Sequence, residues 1–240
     1  MDKKIRLDKI LSNLGYGSRK DIKKMVKSGL VKVDGEVVKD SSYKLNPYKA
    51  VIEIGDTVVE YREFVYLMMN KPKGVVSSTD DPLSRTVIDL IDEKYRVFNP
   101  FPVGRLDKDT EGLLIISNDG KLAHNLLSPK KHVEKKYYVE VEGYVTDDDK
   151  KIFAEGVVID GEYKTMPAYL EIIETDNISR VYLTIKEGKF HQVKKMFKAV
   201  NKRVVYLKRV SMGRLDLDES LLPGEYRELT EEEILLLKNS

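Results

Sequence analysis

Apolar positions Leu7, Ile10, Leu11 and Leu14 recur at i, i+3, i+4 and i+7, the spacing of an amphipathic helix, and Gly15 and Gly17 end it. Ser18 has the right chemistry to cap a second helix, with Asp21 three residues on as its reciprocal partner. In that helix Ile22, Met25 and Val26 share one face, while Lys20, Lys23, Lys24 and Lys27 fall on the opposite one. Gly29 stops it. Val31 to Val33 then reads as a short strand that turns at Asp34-Gly35 into Glu36-Val37-Val38, because Asp-Gly readily takes the positive φ angles of a tight hairpin. Two short helices and a hairpin, with four lysines and no acid on one helix face, predict a small RNA-binding module. A merely solvated helix surface is the plainer alternative.

Residues 46–62 read as a linker carrying a strand at Val51 to Ile54, and a larger domain is expected from about Glu63. The pattern there is strand-rich. Tyr66 to Asn70 and Leu113 to Ser117 are continuous apolar runs of buried-strand length. Tyr137, Val139, Val141 and Val145 alternate with Tyr138, Glu140, Glu142 and Tyr144, as a half-buried strand requires. Leu183 to Ile185 predicts another strand. A short helix is expected around Val87 to Ile91, another after Asn118-Asp119-Gly120 carrying Leu122, Leu126 and Leu127, and a third over His191 to Val200 with Val193, Met196, Phe197 and Val200 inward. The fold class is therefore α+β: a small α/β module over residues 1–60, linker included, followed by a mixed, mostly antiparallel sheet domain over residues 61–240.

Composition narrows the chemistry. There is no cysteine, which removes disulfides, thiolate metal sites and cysteine nucleophiles. No apolar run approaches the ~18 residues of a membrane span, and Met1-Asp-Lys-Lys-Ile-Arg lacks the apolar core of a leader, so a cytoplasmic protein is expected. The net charge of +2 hides two basic islands. Met1 to Lys44 holds 12 Lys and Arg against 6 Asp and Glu, and Lys186 to Arg209 holds 9 basic residues against one acid, Glu187. Clustered cations on a near-neutral chain point to a polyanionic partner. No coiled-coil pattern calls for a second chain, and a monomer is expected.

The densest polar cluster is Gly104-Arg105-Leu106-Asp107-Lys108-Asp109-Thr110-Glu111-Gly112. Acids at alternate positions resemble a calcium loop, but the twelfth position is Asn118 rather than a bidentate Glu, and the flanks are a Pro-rich turn and a strand. A phosphoryl-transfer loop fits poorly because no apolar strand precedes Asp107. On the residues alone a surface turn remains open.

Ile5 to Leu11, Gly17-Ser18-Arg19-Lys20 and Val31-Lys-Val-Asp-Gly-Glu36 resemble the alpha-L RNA-binding domain, named after a small-subunit ribosomal protein. Gly104-Arg-Leu-Asp107 followed by Thr110-Glu-Gly-Leu113 resembles the signature of the RsuA-type pseudouridine synthases. The resemblance runs on in order through Asn70-Lys-Pro-Lys-Gly74, Ser78 to Pro82, Glu134 to Tyr137, Glu187 to Phe197, Pro223 to Arg227 and Leu229 to Ile234. It implies an enzyme that detaches uracil from C1′ of its ribose and rejoins it through C5, a reaction that calls for no cofactor and no metal. The Ser-Thr-Asp-Asp-Pro loop and the closing segment are most similar to the branch acting on uridine 516 of 16S rRNA in conventional ribosomal numbering. The implied partner is 16S rRNA or a small-subunit assembly intermediate. A synthase for 23S rRNA, or an rRNA-binding assembly factor without catalysis, are the alternatives.

By the same resemblance Asp107 is the catalytic carboxylate, either a nucleophile or a base that removes a proton. Tyr137 is the tyrosine whose ring faces the target uracil, and Lys194 the cation paired with the catalytic carboxylate. Arg105 enters the RNA stack where the uridine leaves it, which offsets part of the cost of flipping. Gln192, Lys189 and Lys195 are expected beside the substrate, and Lys20, Lys23, Lys24 and Lys27 against RNA phosphates. Where the family often carries Arg-Tyr-His-Gln, this chain has Lys189-Phe190-His191-Gln192, which keeps charge and aromaticity but loses a bidentate arginine. His124, His132 and His191 are too dispersed to form a metal set. His191 is expected to steady its helix or touch phosphate, and Glu231 to Glu233 to open a terminal helix.

Overall fold

A computed structural model describes residues 4–240; Met1 to Lys3, part of the segment read for a leader, lie outside them. Backbone contacts divide the chain into two units, one of residues up to 65 together with 92–100, the other of residues 66–91 and 101–240.

In the first unit the apolar stripe of Leu7–Asn13 packs against that of Arg19–Lys27, and Leu7, Ile10, Leu11, Ile22 and Val26 are buried in one core with Val31, Val33 and Leu45. Ser18 caps the second helix in a reciprocal box with Asp21, whose carboxyl is held below its ordinary range by the Ser18 hydrogen bonds. Asp34 and Gly35 both take positive φ and fold Val31–Val33 onto Glu36–Val37. The stretch read as a linker is structural: Ile52–Ile54 pairs with Val31–Val33 and Thr57–Val58 pairs with Ile52–Ile54, making one four-stranded sheet. Hydrogen bonding to a free strand edge explains this, since Ile52 and Val59 complete the same core. Residues 92–100, which no sequence signal separates from their neighbours, group with this unit. Tyr95 is buried, and Arg62 lies 5.5 and 5.1 Å from the rings of Tyr95 and Phe98.

The second unit is built on a nine-stranded mixed sheet. Its main path runs Tyr169–Glu174, Ile178–Ile185, Lys135–Glu142, Arg203–Met212, Glu111–Ser117, Tyr66–Lys71 and Tyr226–Glu228. Every pairing is antiparallel except that of Arg203–Met212 with Glu111–Ser117, where Arg209 faces Gly112. A Cβ on Gly112 would lie 2.2 Å from the Arg209 carbonyl oxygen, so only glycine allows this approach. The central strands are buried on both faces, as the apolar runs predict. Gly120–Leu127 covers part of the sheet, capped by Asp119, which accepts from the Lys121 and Leu122 amides. Gln192–Ala199 buries Val193, Met196 and Phe197. The segment expected as a helix near Val87 is one 3-10 turn, Ile88–Leu90. Asp147–Glu155, a helix not anticipated from the pattern, is capped by a Thr146–Asp149 box. Glu231–Lys238 forms the terminal helix, with Thr230 and Glu233 as its box.

Candidate active site

The loop 104–111 leads into the buried strand Glu111–Ser117, and hydrogen bonds to three of its backbone carbonyls come from one neighbouring stretch of chain. The Ser77 hydroxyl donates to the Leu106 carbonyl at 2.9 Å and accepts from the Leu106 amide at 3.0 Å. The Gly74 amide donates to the Lys108 carbonyl at 2.7 Å, and Lys71 Nζ to the Thr110 carbonyl at 2.9 Å. The loop closes on itself through the Thr110 amide and the Asp107 carbonyl. Backbone so held leaves the side chains between these anchors little freedom.

Asp107 meets the helix Gln192–Ala199 at its first turn. Lys194 Nζ donates to Asp107 Oδ2 at 3.1 Å and to Asp109 Oδ1 at 2.5 Å, and His191 Nε2 lies 3.6 Å from Asp107 Oδ1. Burial alone would lower the Lys194 ammonium and raise the Asp109 carboxyl. Their hydrogen bond and mutual attraction outweigh it, so Lys194 is raised and Asp109 lowered from their ordinary values. Asp107 and Asp109 differ in setting: the side chain of Asp107 is 26% exposed and that of Asp109 59%. Of the two, Asp107 lines the cavities at this site and Asp109 does not.

Among the described residues Asp107 lines a smaller and a larger cavity, both within the second unit. The smaller, about 70 Å³, is walled by Asp107, Thr110, Tyr137, Ile185, Val193 and Leu207 among others. The larger, about 710 Å³, is walled by Ser77, Ser78, Asp81, Lys108 and Phe190 among others. They share Arg105, Leu106, Asp107, Gly188, Lys189 and His191. Tyr137 sits in the small-cavity wall at 8% exposure, placed there by the alternation of Lys135–Glu142. The arrangement joins a carboxylate, an ammonium and a ring in one cleft.

Arg105 is exposed at the cavity mouth. Lys189 lines both cavities, its Nζ 4.5 Å from the centroid of the Tyr163 ring. Lys195 binds Asp160 at 2.6 Å. Gln192 lines the smaller cavity, as expected of a residue beside the substrate, and its amide is also bonded within its own turn. It is 3% exposed, its Nε2 donates to Glu187 and its Oε1 accepts from the Lys189 amide, so it holds the turn 187–192 in shape. Lys20, Lys23, Lys24 and Lys27 are all exposed on Arg19–Lys27 in the first unit. Among the described residues no group of three or more His, Asp and Glu side chains could hold a metal.

Sequence reasoning gave no role to Asp109, which shares Lys194, or to Lys71. The latter is fully buried, and burial pushes its ammonium down to about 8 against the attraction of Asp109, Asp107 and Glu111. A lysine closing an apolar run, as in Leu67 to Lys71, is the signal that could have drawn notice. His191 also sits closer to Asp107 than expected. Its backbone is left-handed, φ 54°, a conformation uncommon outside glycine that recurs at functional sites.

The family model described as RNA pseudouridylate synthase matches residues 65–199, and that of the S4 domain matches residues 5–48. An uncharacterized RNA pseudouridine synthase of Bacillus subtilis strain 168, YtzG, is 55% identical over 97% of this chain and 98% of its own length. The ribosomal small subunit pseudouridine synthase A of Escherichia coli K12 is 43% identical over 96% of this chain and 98% of its own. A crystal structure of a pseudouridylate synthase, 38% identical, superposes with a TM-score of 0.68 over 97% of this chain and 99% of its own.

Proposed function

This chain belongs to the RNA pseudouridylate synthase family, with an S4 domain ahead of the catalytic region, and on that premise we propose that it converts one uridine of 16S rRNA to pseudouridine with Asp107 as the catalytic carboxylate. The observation that carries the reading is that Asp107 and Tyr137 line one cleft, with Lys194 bonded to Asp107. The reaction breaks the N1–C1′ bond, turns the uracil and forms C5–C1′; C5 loses a proton and N1 gains one, so no oxidant or co-substrate is needed. An anionic oxygen beside C1′ and C2′ can attack the sugar or take its proton, and either route needs the charge held in place against repulsion and tumbling. Lys194 on Oδ2 does both, and Oδ1, with His191 Nε2 3.6 Å away, is the oxygen proposed to face the substrate. A tyrosine face supports a base that must pivot without losing contact.

The uridine must first leave its stack, at a cost of a few kcal/mol. Arg105, exposed at the mouth, is suited to fill the gap. The four lysines of Arg19–Lys27 supply sequence-independent phosphate contacts, a role for residues 1–60 that complements chemistry in residues 61–240. The 16S assignment, the position equivalent to uridine 516, is supported by small-subunit relatives at 43–44% identity over nearly the full length. The protein then works in the cytoplasm, as a monomer, on 16S rRNA or an assembling small-subunit particle.

Tritium release from C5-labelled uridine in a 16S rRNA fragment or particle tests the activity. Release is expected with the native protein and absent with Asp107→Asn; undiminished release from that variant sinks the assignment. Mapping pseudouridines in 16S and 23S rRNA from cells lacking the gene tests the target, since loss of a 23S site alone would contradict it.

A further inference from the structure

Phe190 is among the most exposed large apolar side chains, at 69%, and stands on the wall of the larger cavity. A single exposed phenylalanine is unremarkable by itself. What distinguishes this one is its setting. Its ring lies flat on that of His191, with centroids 3.8 Å apart and planes within 20°, close to the spacing of stacked bases. His191 is in turn 3.6 Å from Asp107, and its left-handed backbone is braced by the Gln192 side chain, which accepts from the Lys189 amide. Cations lie about the pair: Lys195 Nζ, which is bonded to Asp160, lies over the Phe190 ring 5.2 Å from its centroid, and Lys189, Lys108 and Arg105 line the same cavity, with Asp81 and Asp107 as the acids in its wall.

We propose that Phe190, backed by His191, is a stacking platform for the nucleobase immediately next to the everted uridine in the RNA strand. A planar, uncharged ring on a polyanionic backbone matches a flat aromatic surface set among cations. The target uracil itself is accommodated at Tyr137, in the other cavity. From Asp107, which reaches the target's sugar, the step to Phe190 is one imidazole, so the base that meets it belongs to a neighbouring nucleotide. The platform rests on the proposed RNA-modifying activity and adds a contact that grips the strand while the target is out.

The test uses the full chain and a 16S rRNA hairpin spanning the proposed target. The hairpin is intact, or carries an abasic residue on the 5′ or on the 3′ side of that uridine. Affinity is read by fluorescence anisotropy and turnover by tritium release. Phe190→Ala is expected to weaken binding of the intact hairpin roughly tenfold, the effect of losing one base–aromatic stack, while Phe190→Trp retains it. One abasic hairpin should weaken the native protein by a similar factor yet make no difference to Phe190→Ala, a coupling that a merely structural role would not produce. Equal losses in both proteins, or none, overturn the platform. Normal release without coupling overturns it alone; coupling without release retains the platform and overturns the activity; failure of the native protein to bind overturns both.

Discussion

Lys194 serves two carboxylates, and distance alone would favour Asp109 over the proposed catalytic Asp107, at 2.5 Å against 3.1 Å. Exposure decides otherwise. Asp109 is more than half exposed, where water screens its pairing, whereas Asp107 is mostly covered and lines the cleft. Asp107→Asn should therefore abolish tritium release, while Asp109→Asn leaves it within about tenfold. Lys194→Met strands a partly covered carboxylate, and turnover should fall a hundredfold or more, about 3 kcal/mol. Single-turnover kinetics on the three variants check the order; Asp109→Asn proving as damaging as Asp107→Asn would reverse the assignment. The contact between Lys194 and Asp107 was expected from the motif resemblance, and the two side chains do meet. Asp109 was not given weight because motif spacing does not say which of two acids a side chain from residue 194 reaches.

At the scale of elements, the helix Arg19–Lys27 and the loop 104–111 contrast. The helix was readable in full: stripe, cap and basic face depend on residues within four positions of one another. Removing its cap with Ser18→Ala should cost the first unit about 1 kcal/mol, visible in a urea melt. Replacing Lys20 and Lys24 by Gln should weaken binding to any rRNA fragment and reduce the slope of log affinity against log salt by about one per lysine. An unchanged slope would mean that this face is simply solvated. The loop owes its shape to distant residues, and Ser77 is the clearest case, holding both backbone groups of Leu106. Ser77→Ala should lower kcat several-fold, more than it changes KM, since its main effect is to loosen the backbone that carries Asp107; the cost is that of a hydrogen bond, ~1 kcal/mol. The strand Ile52–Ile54 was legible as a strand but not as part of the first sheet, because its partner Val31–Val33 lies across a hairpin and a long loop.

For the whole molecule, the sheet accepts charge at its centre. Lys135 is 9% exposed and donates to the Val133 carbonyl, and burial and then Arg209 push its ammonium down to about 8, against Glu187. Between that value and its ordinary 10.5 the folded chain binds fewer protons at Lys135 than the unfolded chain. Stability from this group therefore rises with pH across the window, and the cost of burying the charge is present in full below it. Relative to Lys135→Met, the native protein should gain about 1 to 3 kcal/mol on going from pH 7.5 to 10.5, a difference in which the other titrating groups cancel. Urea melts of the two proteins at matched pH read this directly, and a flat difference would show that the ammonium is already solvated. No helix among the described residues is long and apolar enough to cross a membrane.

The sequence by itself determined whatever depends on near neighbours or on a composition that folding does not alter. That covers the helices Leu7–Asn13 and Arg19–Lys27 with the Ser18 cap, the Asp-Gly hairpin, the buried and alternating strands, the α+β class, the two basic islands and the motif that contains Asp107. Tertiary structure alone decided which strands pair, that the supposed linker completes a sheet, that 92–100 joins the first unit, that Gln192 turns inward, and that Ser77, Lys71, Asp109 and Phe190 surround the site. Those outcomes depend on contacts between residues tens of positions apart, such as Arg209 with Gly112 or Lys194 with Asp107. A one-dimensional pattern encodes burial and local turn geometry; the partner of a buried or charged group is chosen only when the chain closes its long loops.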